Sequence, residues 1–146
     1  MKDIANNRQA RYRYHFLETW EAGLVLTGTE VKSLRDGKAT IKDGYATVRD
    51  GEVWLHNVHI PPYAPASREN HEPERSRKLL MHRREIERLI GKTREKGLTL
   101  VPTRLYFSGG RAKVEIALAR GKDVGDKRQA IKERELKREM ERAVRR

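Results

Sequence analysis

The chain has 146 residues, a length that fits one domain with an extension, and 33 Lys and Arg against 21 Asp and Glu give it a net charge of +12. That excess favours a polyanionic partner, most simply a nucleic acid, over a merely soluble basic protein. No run of about 18 apolar residues is present to span a membrane, and the polar start MKDIANNRQAR lacks the apolar stretch of a signal peptide. The absence of Cys excludes a disulfide framework, a thiolate metal site and a cysteine nucleophile, and the expected location is the cytoplasm.

In chain order, residues 12–60 carry mostly the pattern of strands. Tyr12, Tyr14 and Phe16 alternate with Arg13, His15 and Leu17, and the run continues through residues 24–27, which predicts one long strand bulged or bent at Gly23. TEVKSLRDG then predicts a short helix over 30–36: Thr29 is placed to cap it, Glu30 lies in the first turn, Val31 and Leu34 are three apart, and Gly37 stops it. A phosphate-binding loop at GTE is the sharper alternative, but a lone Gly lacks the glycine-rich loop that cradles phosphate.

YATVRDGEVWLHNVHI holds two alternating runs around Asp50-Gly51, the dipeptide favoured where a tight hairpin needs positive φ. Pro61-Pro62 ends the second run, and PPYAPASRENHEPERS reads as a polar loop of a length that suits mobility or binding. From His82, the spacing of Ile86, Leu89 and Ile90 predicts an amphipathic helix with a basic outer side, stopping near Gly91 or Gly97. LTLVPTRLYF and RAKVEIALAR predict a second hairpin joined by Ser108-Gly109-Gly110. Five or six short antiparallel strands with helices between them predict a mainly β fold. The strand count favours a closed antiparallel barrel of the oligonucleotide-binding type over a sandwich, with about three helices.

No constellation points to catalysis. GxSxG, HExxH and P-loop patterns are missing, and most carboxylates are interleaved with Lys and Arg. His56 and His59 are three apart on a predicted strand and so face opposite ways, which does not suit a shared metal ion, and no cofactor is expected. Basic residues recur instead in every segment, among them Arg11, Arg75 and Arg111, with tyrosines and Phe107 nearby, the mixture that phosphate contact and base stacking require. For Phe16, Trp54 and Phe107 themselves, core packing is the better expectation. These residues alone leave open a ribosomal or initiation-factor-like barrel that binds ribosomal RNA directly, and, in another class, a metal-dependent nuclease built from scattered carboxylates.

Three segments, NNRQARYRYHFLETWEAGLVLTGTEVKSLRDGKA, SRKLLMHRREIERLIG and VEIALARGKDVGDKRQAIKERE, in this order resemble the bacterial SsrA-binding protein (small protein B) family from about Ile4 to the end. The resemblance implies an oligonucleotide-binding barrel that grips the tRNA-like domain of transfer-messenger RNA. It also implies a non-enzymatic adaptor that travels with elongation factor Tu to stalled ribosomes and serves trans-translation; the expected form is a monomer with no membrane association. Matched residue by residue, the implied RNA-contacting positions are Asn7, Arg8, Glu21, Lys32, Arg35, Arg77, Lys78, Leu80 and Lys113. Glu21 is a poor phosphate ligand and would have to accept from a base or sugar hydroxyl, or orient a neighbouring Arg. Without the resemblance, Leu80 reads as core.

After a body over residues 1–120, Gly121 and Lys122 begin a basic tail, 121–146, in which Asp126, Lys127 and Arg128 match the family's DKR motif. The resemblance associates this tail with the 16S ribosomal RNA decoding centre and the empty message channel. The pattern is broken at Gly125, where many members carry an aromatic residue or His. On a helical wheel Leu136, Met140, Ala143 and Val144 share an arc, and Arg134, Arg138 and Arg142 gather opposite, as an arm in an RNA-walled channel would need. Like-charge neighbours and costly nucleation predict a tail disordered when free and helical when ribosome-bound.

Overall fold

The computed structural model describes residues 2–65, 70–95, 97–122, 134–140 and 142. Its elements run β1 (Lys2–Asn6), α1 (Arg8–Arg13), β2 (Tyr14–Leu24), α2 (Gly28–Arg35), β3 (Tyr45–Arg49), β4 (Glu52–His56), β5 (Arg77–Leu80), α3 (Arg83–Thr93), β6 (Leu98–Ser108) and β7 (Arg111–Gly121). The sheet has seven strands rather than five or six. Neighbours follow β6-β3-β4-β5-β2-β7, β7 pairs back onto β6, and the ring closes with β1 left as an edge strand on β6. Closure between β3 and β6 rests on the single pair Ala46 and Leu100, whereas β2 and β7 are in register from Tyr14–Gly121 to Gly23–Lys113.

Alternation explains what fills the ring. Val53 and Leu55 of β4, Leu79 of β5, and Val114, Ile116 and Leu118 of β7 point inward and are at most 1% exposed. Leu34 from α2 and Leu89 from α3 join the same cluster. Both predicted hairpins form. Asp50 and Gly51 take φ of 51° and 76°, and Gly109 and Gly110 take 59° and 75°, the left-handed pair that matches strand twist in a two-residue turn.

Several local expectations are corrected. Tyr12 belongs to α1, because Asn7 accepts the Ala10 amide and starts a helix where the aromatic alternation suggested strand. The irregularity of β2 falls at Leu17, between Phe16 and Glu18, not at Gly23, which pairs regularly with both Leu80 and Lys113. The second helix begins at Gly28 and is capped by Thr27 in a reciprocal capping box with Glu30; Thr29 instead bonds His71 at 2.9 Å. The strand carrying His56 ends there, since Asn57 takes φ of 57°, and His59 pairs separately with Thr40. Trp54 alternates with buried Val53 and Leu55 and therefore faces outward, while Phe16 and Phe107 do pack against the apolar clusters. The expected end of α3 near Gly91 or Gly97 is met, the helix finishing between them at Thr93.

One buried polar cluster joins segments that the barrel pairings leave loose. Arg77 is inward-facing on β5 and 0% exposed, as is Glu30 of α2. The Arg77 guanidinium donates through Nε to Glu30 Oε2, and to the carbonyls of Val58 at 2.7 Å and Pro73 at 3.0 Å. Glu30 Oε1 accepts from Arg75 at 2.6 Å and from the Thr27 amide at 2.8 Å. Burial alone would push the Glu30 carboxyl up, but the donors from Arg75, Thr27 and Arg77 outweigh it and hold it below the ordinary carboxylate range.

Removing one partner of such a pair leaves a buried charge. Arg77→Met is expected to cost about 3–5 kcal/mol in urea unfolding, and Arg77→Met with Glu30→Leu less than the sum of the singles. Because the folded Glu30 carboxyl titrates below its unfolded value of about 4.3, its stabilisation is complete above that pH and is lost as pH falls through the depressed value. Unfolding midpoints measured between pH 5 and pH 2.5 are therefore expected to fall less steeply for Glu30→Gln than for the parent.

Candidate nucleic-acid interface

The outward residues of β5, β2, β7 and β6 form the candidate surface. Across those strands the register aligns Leu80, Gly23, Lys113 and Tyr106 in one row, and Glu21, Glu115 and Arg104 in the next. A Cβ on Gly23 would stand 3.4 Å from Leu80 Cβ, so the bare glycine lets Leu80 lie close over β2. Leu80 is 55% exposed, which overturns the core reading made from its residue type alone. Leu80, Lys113, Val31 and Arg111 border one groove.

Behind Lys113 lies a polar network. The Tyr106 hydroxyl donates to Glu21 Oε2 at 2.6 Å, and Lys113 Nζ is 3.9 Å from the other Glu21 oxygen. Arg104 lies 4.2 Å from the Tyr106 ring centroid and bonds Asp3 at 3.3 Å, while its Nε is 3.5 Å from Glu115. Burial first, and then the Glu21 carboxylate, push the Tyr106 hydroxyl up to about 12, so it remains a donor at neutral pH. Arg104 also borders a cleft with Arg8, Arg11 and Tyr12 of α1, which carries positive charge on from the Lys113 row.

The residues expected from the sequence thus divide. Glu21, Leu80 and Lys113 meet on one face, and Arg8 joins it through the α1 cleft. Lys32 and Arg35 are exposed on α2, with Lys32 Nζ 5.7 Å from the Tyr63 ring centroid. Lys78 sits on the outer face of β5 beside Trp54 and pairs with Glu52 at 2.8 Å. Asn7 and Arg77 offer no comparable side-chain surface, at 5% and 0% exposure. The Asn7 amide instead donates to the Pro102 carbonyl at 2.9 Å, tying α1 to β6.

Gly121 ends β7, and the Lys122 amide bonds the Arg13 carbonyl at 2.8 Å. Residues 134–140 are helical, with Leu136 and Met140 at 53% and 59% exposure and Arg138 exposed among them; Arg142 is exposed as well. Arg134 lies 5.9 Å from the Tyr12 ring centroid. Asp126, Lys127 and Arg128 lie outside the described residues. Among the described residues no helix is long and apolar enough to cross a membrane, and no group of three His, Asp or Glu side chains could hold a metal ion.

Tyr106 and Arg104 are the members of this face that sequence reasoning missed. TRLYF did carry a signal, since both alternate with the apolar Leu105. The register shift between Pro102 and Arg104, however, resets which residues of β6 face outward.

The chain is 66% identical over 145 residues to an SsrA-binding protein of Thermobifida fusca, covering 99% of this chain and 91% of the relative. It is 61% identical over 144 residues to one of Desulforudis audaxviator, covering 99% and 94%. A chain from a solved structure described as "tmRNA-SmpB: a journey to the center of the bacterial ribosome" matches with a TM-score of 0.70 and 52% identity, over 82% of this chain and 85% of that one. The model of the SmpB protein family matches residues 4–146, and with relatives this similar along nearly its whole length the chain belongs to that family.

Proposed function

We infer that this protein is an RNA-binding adaptor of trans-translation, which binds transfer-messenger RNA and brings it to stalled ribosomes. The observation that carries the reading is the outer face on which Leu80, Lys113 and Glu21 converge, on a barrel of this family. An exposed leucine suits an unstacked base, a lysine suits phosphate, and a carboxylate suits hydroxyl or amino donors. Those three preferences together describe structured RNA better than a plain duplex backbone.

Within that role, Arg8, Glu21, Lys32, Arg35, Lys78, Leu80 and Lys113 are assigned to RNA contact. Asn7 and Arg77 are assigned to holding α1 and β5 in place behind them, which follows from their burial. The tRNA-like domain is the part of the RNA engaged. The tail, including Asp126, Lys127, Arg128, Arg134, Arg138 and Arg142, enters the decoding centre and message channel. Elongation factor Tu accompanies the complex, and the protein acts as a cytoplasmic monomer.

In gel-shift titration the protein is expected to bind transfer-messenger RNA more tightly than ribosomal RNA fragments, with affinity falling steeply as salt rises; equal affinity for both would favour the direct ribosomal RNA binder instead. Lys113→Ala is expected to lower the slope of log K against log salt by about one phosphate contact. A chain ending after Gly121 is expected to keep its RNA affinity while failing to support tagging in a reconstituted translation assay. Loss of affinity matching that of Lys113→Ala would remove the division between body and tail.

A further inference from the structure

We propose that Tyr106 is a positioning residue for RNA recognition, its buried hydroxyl holding the Glu21 carboxylate ready to accept a hydroxyl or amino hydrogen from the RNA. This deepens the RNA-binding reading above and rests on it.

The geometry is specific. Tyr106 is 1% exposed, although it lies on the outward side of β6 in register with Lys113. Its phenol crosses β7 to reach Glu21 on β2, where it donates to Oε2 at 2.6 Å. The Glu21 side chain is 53% exposed, and its Oε1 is only loosely paired with Lys113, at 3.9 Å. One oxygen is thus pinned from below while the other faces the surface. An ionised carboxylate has about four lone-pair sites, and a single phenolic donor leaves most of them for an incoming ligand.

The surroundings set the carboxylate's partner class. Glu21 stands opposite Glu115 across β2 and β7, an arrangement of like charges that is tolerated because Arg104 and Thr103 engage Glu115 and Tyr106 engages Glu21. Two carboxylates side by side repel phosphate, so whatever meets Glu21 must bring a hydrogen. On RNA the available donors are the 2′-hydroxyl and the base amino or imino groups. Glu21 therefore orients and selects, while Lys113 beside it supplies attraction to the backbone. Arg104 stacked on the phenol ring keeps Tyr106 from rotating out of line.

The test uses the full chain and transfer-messenger RNA, with dissociation constants measured over a salt series. Tyr106→Phe keeps the ring and its Arg104 contact and removes only the hydroxyl. It is expected to weaken binding about tenfold, the effect of losing a hydrogen bond to a charged group. The slope of log K against log salt is expected to stay at the parent value, because no phosphate contact is lost. Glu21→Gln combined with Tyr106→Phe is expected to bind no more weakly than Glu21→Gln alone. A merely structural role would add the two losses and would lower the thermal unfolding midpoint of Tyr106→Phe, which is expected to stay within about a degree of the parent.

Parent-like affinity for Tyr106→Phe, within twofold, overturns the proposal, as does full additivity in the double variant. Failure of the parent itself to prefer transfer-messenger RNA overturns the functional reading and this one with it. The two failures are therefore distinguishable.

Discussion

The carboxylate of Glu30 is the point on which the arrangement of this barrel depends. It closes the first turn of α2, receives Arg75 from the segment leading into β5 and Arg77 from β5 itself, and through Arg77 reaches the carbonyls of Val58 and Pro73. A four-residue strand such as β5 has few ladder bonds of its own, and its pairs with β4 and β2 bridge the two halves of the ring. Fixing Arg77 from inside fixes the outward Lys78 and Leu80 on either side of Leu79. A buried charge cluster, costly in isolation, thus sets the position of an exposed apolar side chain on the other face of the same strand.

That coupling changes how the basic residues of the sequence are understood. A net charge of +12 identifies the partner class but gives no roles. In the fold, arginines separate into those whose guanidinium is spent inside, such as Arg77, and those that remain at the surface, such as Arg8, Arg35 and Arg88, the last paired there with Glu18 at 3.1 Å. Charge counts from sequence overstate the RNA-facing surface by the number of guanidiniums spent internally.

Much of the fold is legible in the sequence where local chemistry is strong. Asp50-Gly51 and the Gly109-Gly110 turn announce their hairpins, and Ile86, Leu89 and Ile90 announce α3, because each is decided by φ preference or by a single periodicity. Elements decided by tertiary contact are not legible. β1 carries one large apolar residue, Ile4, and exists because β6 offers an edge; β5 places a charged Arg77 inward, which no alternation rule expects. The candidate site follows the same division. Glu21, Leu80 and Lys113 are matched through the family resemblance, but their meeting requires the register through Gly23, and Tyr106 enters only when β7 lies between it and Glu21.

The length of β2 has a consequence of its own. Gly23 stands near one end, beside Leu80 and Lys113, and Tyr14 stands at the other, paired with Gly121 where the tail departs. At about 3.3 Å per residue the strand separates those points by roughly 30 Å, and the paired β7 stiffens it. The barrel is therefore also a spacer of set length: the row of Leu80, Gly23 and Lys113 is held a fixed distance from Gly121 at the end of β7, and insertion or deletion of residue pairs in β2 and β7 would change that distance in steps.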